Sequence, residues 1–475
     1  MKNRFSRVLS ILLAVCLTAA IAVPALADGN LAELFYGVSI YVDGDKVDSS
    51  VESFIKDDST FLPARAISNA LGADVSWDGT TSSVYIDTLK ADPKAAEYLT
   101  EYFKIEPMTG TVSAETYTAA LTAVFGEDAV TMTGTTLADA VAATVANCGL
   151  AELPATYSAE IAAASTAGVM GVTDEIAATV ATALDASLAS GTWNYAAELD
   201  GDTATQLLMN AVNIAGKGRN YLGKISDPDI LAKLQASQKT FFNFENETLS
   251  SLGEQLVLAE ASTGYNLKYD GYNANFLSKY TIQYGHSDFA HLLQLIPLLN
   301  REGIDAKVAL EPKTSIYEYM VDWGDPTKVP STPTYALKPI EGTERWLCYA
   351  LEFDLKFEFD SMEQKNDFDR VIMTYSKKNT ANQNEDGSFT PSLIYGAWWQ
   401  PLYTSTVPME DTESFSHIYD NVIRDGEYTI HPFSKDDGTE GIAAVVAEKA
   451  PELKVELVDL YVNNAFYRYL GGEAE

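Results

Sequence analysis

Cysteine is nearly absent from this chain: 475 residues carry three, at positions 16, 148 and 348. So few thiols exclude a disulfide framework, although Cys148 and Cys348 leave one bridge open in an oxidising compartment. The fold must therefore rest on apolar cores. Histidine is also sparse, with four residues, and none lies between residues 28 and 147. Positive charge is short as well, since 32 Lys and Arg face 67 Asp and Glu for a net charge of −35. Such a surface repels phosphate backbones and excludes nucleic acid as a partner. Beyond residue 23 no apolar run approaches the ~20 residues that span a bilayer. A hydrophobic content of 47% rules out an acidic disordered tail, and the length predicts two to four domains.

What the sequence does contain begins at its N-terminus. Met1 to Arg7 is cationic without an acid, Val8 to Val23 is almost wholly apolar, and Ala25-Leu26-Ala27 supplies a small-x-small site. This pattern predicts a secretory signal over residues 1–27 and a mature chain starting at Asp28. A membrane anchor would need a longer run. Leu13-Ala-Val-Cys16 approximates a lipobox, but Val15 is large for the position before the cysteine and the apolar run continues past it. The expectation is a protein secreted or held at the cell envelope, with no membrane insertion after processing.

Residues 38 to 88 read as one small unit within an expected domain of 28–90. Val38 to Val42 alternates like a strand before the Asp43-Gly44 turn, and Phe54-Ile55 and Thr60-Phe61 flank a second turn. Pro63 can start a helix through Ala70, and Val75–Trp77 and Val84–Ile86 form a hairpin around Asp78-Gly79. With Val42-Asp-Gly44, Phe61-Leu-Pro-Ala-Arg65, Ala70-Leu-Gly72 and Val75-Ser-Trp-Asp78 in this order, the unit resembles the copper amine oxidase N-terminal (stalk) domain. The resemblance implies an attachment module of exported, often Gram-positive, proteins. It does not imply amine oxidase chemistry. The unit lacks the His and Cys ligands copper prefers, and neither Asn194-Tyr-Ala nor Asn220-Tyr-Leu matches the cofactor tyrosine motif. Arg65 and Trp77 are expected to brace packing and turns.

Residues 91–200 are rich in Ala and Thr. Segments 114–125, 136–146, 158–167 and 173–189 predict short helices separated by Gly and Pro. The Tyr157-Ser-Ala-Glu-Ile-Ala-Ala-Ala stretch faintly resembles an S-layer homology repeat, which implies a spacer or wall-binding region. Residues 201–475 are expected to form an α+β domain. Asp227-Pro228 opens a helical stretch towards Ala261, Ile442 to Lys449 reads as a helix, and Val455 to Tyr461 as strand or helix.

The candidate chemistry lies in this last region. Ser287 or Asp288 can cap a helix with apolar residues at 289, 292, 293, 296 and 299, Pro297 should kink it, and Gly303 can end it. Ile304, Ala306, Val308 and Leu310 then alternate as a strand. Gly285-His-Ser-Asp288-Phe-Ala, the apolar helix and Gly303-Ile-Asp-Ala-Lys-Val308 together resemble the core of transglutaminase-like proteins, which implies a papain-like arrangement. Where that family carries its nucleophilic cysteine this chain has His286. On the later strand one face is Leu347, Tyr349, Leu351, Phe353, Leu355, Phe357 and Phe359, and the other runs Trp346, Cys348, Ala350, Glu352, Asp354, Lys356. If that strand is the equivalent one, the resemblance puts Cys348 at the family's histidine position and Glu352 at its acid.

Two functions of different class follow. One is a non-catalytic binding or scaffolding domain, with a cell-wall polymer or a peptide as ligand and His286 and Cys348 merely packed. The other is a secreted thiol-dependent amide hydrolase or transferase using Cys348 with a histidine, His286, and Glu352. No cofactor is expected. His286 and His291 fall on different helix faces without a third ligand, so no metal site is expected either. Asn382 to Gly387 starts like a calcium loop but has Leu393 where the final Glu belongs. Trp398-Trp399 with Tyr395 and Tyr403 offer stacking surface for a sugar or a core cluster. His417 and His431 stand in no motif.

Overall fold

The computed structural model describes the chain apart from residues 1–33, 43–44, 57, 72, 79–82, 88–90, 287–288, 376–385, 387–402, 410–414, 436–437, 465–466 and 469–475. The signal segment, the Ser287/Asp288 cap, nearly all of the 382–393 loop and the Tyr395/Trp398/Trp399 cluster thus lie outside the described residues. The chain divides into two compact units, one ending at Gly216 and the other beginning at Lys217.

The first unit opens with short strands β1 (Leu34–Tyr36), β2 (Tyr41–Val42), β3 (Asp45–Lys46), β4 (Phe54–Lys56) and β5 (Ser59–Phe61), then helix α1 (Ala64–Ala70) and strands β6 (Asp74–Asp78) and β7 (Ser83–Asp87). β4 pairs with β5, and β6 with β7, as the turn residues predict. Only Tyr41–Val42 of the expected Val38–Val42 strand is paired, with β3. The sequence patterns did not signal β1, which pairs with β4. Arg65 Nη1 donates to the Val75 carbonyl at 2.8 Å, tying α1 to β6 in the bracing role expected of it.

Helices α2 (Ala95–Phe103), α3 (Ala114–Phe125), α4 (Leu137–Asn147), α5 (Ala159–Ser165), α6 (Ala177–Asp185) and α7 (Gly201–Ile214) complete the unit. Their starts follow from side-chain caps at Ser113, Thr136, Ser158 and Asp200, each satisfying an orphan N–H of a first turn. At Thr136 the cap is reciprocal, because Asp139 accepts the Thr136 N–H. Helix α7 packs on α2, α3 and α4. Residues 201–216 thereby belong to the first compact unit.

The second unit holds β8 (Gly223–Lys224), α8 (Ile230–Gln238), α9 (Glu247–Leu258), β9 (Gly264–Tyr269), β10 (Thr281–His286), α10 (Phe289–Arg301), β11 (Ala306–Glu318), β12 (Tyr335–Pro339), β13 (Trp346–Phe359), α11 (Met362–Tyr375), β14 (Tyr403–Ser405), β15 (Phe415–Asp425), β16 (Tyr428–Pro432), α12 (Thr439–Lys449) and β17 (Val455–Asn463). The helical stretch expected from 227 towards 261 is two helices. Phe244 donates its N–H to Thr314 Oγ1 at 2.7 Å between them, and Asn246 caps the second. Helix α10 runs through Pro297, and the ambiguous segment at 455 is a strand.

The strands pair in the order β13-β10-β14-β17-β15-β16-β9-β11, and β11 pairs back onto β13 from Ala306↔Phe359 to Glu318↔Leu347. The result is a closed, antiparallel, eight-stranded barrel, which has no free edges. β12 pairs with residues 346–350 of β13 on the edge that β10 occupies farther along, and β8 with residues 307–308 of β11 on the edge that β9 occupies farther along. The apolar face of β13 packs outward. Leu351, Phe353, Leu355, Phe357 and Phe359 join α10 and α11 residues such as Leu295, Leu299, Phe368 and Ile372 in one core. Leu347 and Tyr349 join α9 and α12 residues in another. Gly253 shows how closely α9 sits on the wall, since a Cβ there would fall 2.2 Å from the Tyr265 ring.

Candidate binding site inside the barrel

Because the odd-numbered residues of β13 pack outward against helices, its even-numbered residues face into the barrel, and antiparallel pairing carries this assignment to every neighbour. The inward set on β13 is Cys348, Ala350, Glu352, Asp354, Lys356 and Glu358. Opposite them on β11 stand Tyr317, Ser315, Lys313, Glu311, Ala309 and Lys307. Asn266 and Lys268 of β9 and Thr429 and His431 of β16 continue the face. A barrel of eight strands leaves room for side chains or one small ligand, and here the filling is polar.

Charges interleave along this face. Glu358 takes Arg219 Nε at 2.7 Å, Lys307 Nζ at 2.7 Å and the Leu277 N–H at 2.8 Å. Glu311 takes Lys356 Nζ at 3.1 Å and the Ala274 N–H at 2.8 Å. Asp354, fully buried, is gripped by Lys313 at 2.7 Å and Lys268 at 2.9 Å. Glu311 stands directly opposite Asp354, an arrangement of like charges that the interposed lysines make tolerable. Burial alone would raise the Asp354 carboxyl, but the Lys268 and Lys313 ammonium groups outweigh it and hold it well below the usual range. The segment from Asp270 to Tyr280 supplies the Ala274 and Leu277 donors and packs Ala274 and Phe276 on inward-facing Ala309, closing this end of the barrel.

Further along, Ser315 Oγ lies 2.6 Å from Glu352 Oε2 and 2.8 Å from Asn266 Oδ1. On the far wall His431 Nδ1 is 2.8 Å from Asp420 Oδ2, and its Nε2 is 3.1 Å from Thr429 Oγ1. Burial would raise Asp420, but His431 and then Lys268 lower it. Lys268 thus stands between Asp354, Glu311 and Asp420.

The residues singled out from sequence take different places. Cys348 is wholly buried on β13, directly opposite Tyr317 of β11 and next to the β12 strand that carries Tyr335. Burial pushes this thiol up, the tyrosines draw it partly back, and Glu352 adds to the rise. Its sulfur is free, as is that of Cys148. The backbone of His286 lies at the end of β10 in register with Phe353, five residues from Cys348, or about 17 Å along the strand. The backbones of the two thus stand well apart along the sheet. The β13 residue that meets the start of α10 is Phe353, whose ring lies 5.5 Å from that of Phe289, and an odd spacing from it puts Cys348 on the opposite face of the sheet. Glu352 shares Cys348's inward face but is bonded to Ser315. His417 pairs with Asp459 at 2.9 Å. Among the described residues no three His, Cys, Asp or Glu side chains converge as metal ligands.

No sequence motif marks Lys268, Lys313, Asp420 or His431. The available signal was the period-two charge in strands whose other face is apolar, a pattern that reads as a solvated face until the sheet closes.

Comparison with known proteins reaches the first unit only. Residues 41–99 match the family model of the copper amine oxidase N-terminal domain, the family read from the Val42-Asp-Gly44 and Phe61-Leu-Pro-Ala-Arg65 motifs. No curated protein and no solved structure matches the chain.

Proposed function

We propose that this chain is an exported, modular envelope protein whose stalk-type module serves attachment and whose second unit is a binding or scaffolding domain without thiol catalysis. The observation that carries this reading is the inward face of the barrel. It holds charged groups in mutually compensating pairs, and its one thiol is wholly buried, its backbone about 17 Å along the strand from that of the histidine that would have to activate it. A base and a nucleophile must come within ~3 Å or one water. The transglutaminase-like likeness of the segment from Gly285 to Val308 belongs to this proposal as a scaffold that has lost its nucleophile. A cell-wall polymer or a peptide is the ligand class that an exported stalk-bearing protein would meet.

Iodoacetamide labelling of the full chain, read by mass spectrometry, tests the absence of catalysis. Cys348 should label slowly at neutral pH, and His286→Ala should leave the rate unchanged. Rapid, His286-dependent labelling would establish the thiol enzyme instead. Export is tested separately by the mass of the secreted protein, which should begin at Asp28; a retained apolar segment or a lipid on Cys16 would defeat it.

A further inference from the structure

The ion pairs of the barrel do not all bury their groups. Asp354 and Glu358 keep no exposure, yet Lys268 keeps 20% of its side-chain surface, Lys356 21%, Asp420 22% and His431 18%. All four face inward, so this surface borders open space on the inner side of the wall. An ammonium has three N–H donors. The protein engages one on Lys268, to Asp354. On Lys356 it engages Glu311 at 3.1 Å and Asn273 at the longer distance of 3.5 Å. Asp420 spends Oδ2 on His431. The accessible part of the wall therefore offers donors of positive charge on Lys268 and Lys356 and an acceptor of negative charge on Asp420, which lies within the electrostatic reach of Lys268.

We infer that the barrel interior is a binding site for a small zwitterion, an amino acid or short peptide, with its carboxylate on Lys268 and Lys356 and its ammonium on Asp420. A simple anion would find the cations but also face Asp420 and Glu311, and a simple cation would face Lys268. Only a ligand carrying both signs meets a complementary charge at each, as interfaces of matched potential require. His431 holds Asp420 in place through Nδ1 and is a positioning residue. This inference rests on the reading of the second unit as a binding domain and names its ligand class.

The experiment is calorimetric titration of the full chain with glycylglycine, and with acetate and methylammonium as single-charge controls. Saturable binding of glycylglycine is expected, with each control weaker by roughly tenfold or more, the worth of one hydrogen bond to a charged group. Asp420→Asn should weaken glycylglycine by roughly ten- to a hundredfold while leaving acetate no weaker, and Lys268→Met should abolish both. Should Lys268→Met fail to fold, Asp420→Asn and the wild-type controls decide the matter. No saturable heat with wild type, equal affinity for acetate and glycylglycine, or an unaffected Asp420→Asn protein would each overturn the inference. A silent titration with slow Cys348 labelling would remove the zwitterion and leave the binding-domain reading standing; fast His286-dependent labelling would remove that reading itself.

Discussion

Replacing Asp354 by Asn should be among the most damaging single changes in the second unit. Asp354 is fully buried and is the direct counter-charge of Lys313 at 2.7 Å and Lys268 at 2.9 Å. At an effective dielectric of about 20, each pair represents about 6 kcal/mol of attraction before desolvation. Desolvation costs several kcal/mol per ion, so the pairs contribute little net stability while intact. Removing the carboxylate is different, because the buried Lys313 ammonium and the partly buried Lys268 ammonium lose it together. The expected loss is about 3–5 kcal/mol, which for a unit of this size lowers the melting temperature by roughly 6–20 °C. The folded carboxyl lies below its unfolded value, so its contribution is complete above ~3.9 and is lost as the pH falls through the folded value. The deficit of Asp354→Asn should therefore be full at pH 7 and shrink in acid. A second variant isolates the cause. Asp354→Leu with Lys313→Met removes one ammonium together with the carboxylate, and Lys268 keeps Glu311 and Asp420 as counter-charges. This pair should recover most of the loss. Near-ultraviolet circular dichroism melts of the full chain at pH 7 and pH 3 measure all of this. A loss below about 1 kcal/mol for Asp354→Asn, the value of an exposed pair, would refute the argument that these charges are buried and interdependent.

Two other perturbations follow from the packing. Lys365 on α11 is fully buried, donates only to the Lys279 carbonyl and Ser405 Oγ, each at 2.9 Å, and is pushed down to about 8 by burial. Between that value and the unfolded ~10.4 the unfolded chain binds more protons, so stability should rise with pH across this window by on the order of 3 kcal/mol; in urea melts Lys365→Met should flatten that rise, and an unchanged slope would show that the amine is solvated. Gly253→Ala would drive a methyl to 2.2 Å from the Tyr265 ring, so a loss of about 1–3 kcal/mol is expected, and a neutral effect in the same assay would mean that α9 rides farther from the barrel wall.

The extent to which this fold was legible follows from how local each determinant is. Hairpins β4–β5 and β6–β7, the bracing arginine and the capped helices α3 to α5 are set by residues a few positions apart, and turn and cap chemistry marks them in any context. The match over residues 41–99 has the same origin, a compact module whose pattern is continuous in sequence. The alternation of β13 was equally plain, and it correctly separated the apolar face from the face that carries Cys348, Glu352 and Asp354.

The sequence could not reveal what lies beyond that second face. Period two assigns residues to faces but does not tell solvent from barrel interior. That choice was made by pairings such as Glu318↔Leu347 and Thr429↔Lys268, which join segments 29 and 161 residues apart. The same closure put His286 in register with Phe353 and moved Cys348 to a different place. It also gathered Lys268, Lys313, Asp354, Asp420 and His431 around one space, although no two of them form a motif. The sequence determined which residues alternate and where chains turn; only the tertiary structure decided which charges share a low-dielectric interior, because proximity there is created by ring closure and not by spacing along the chain.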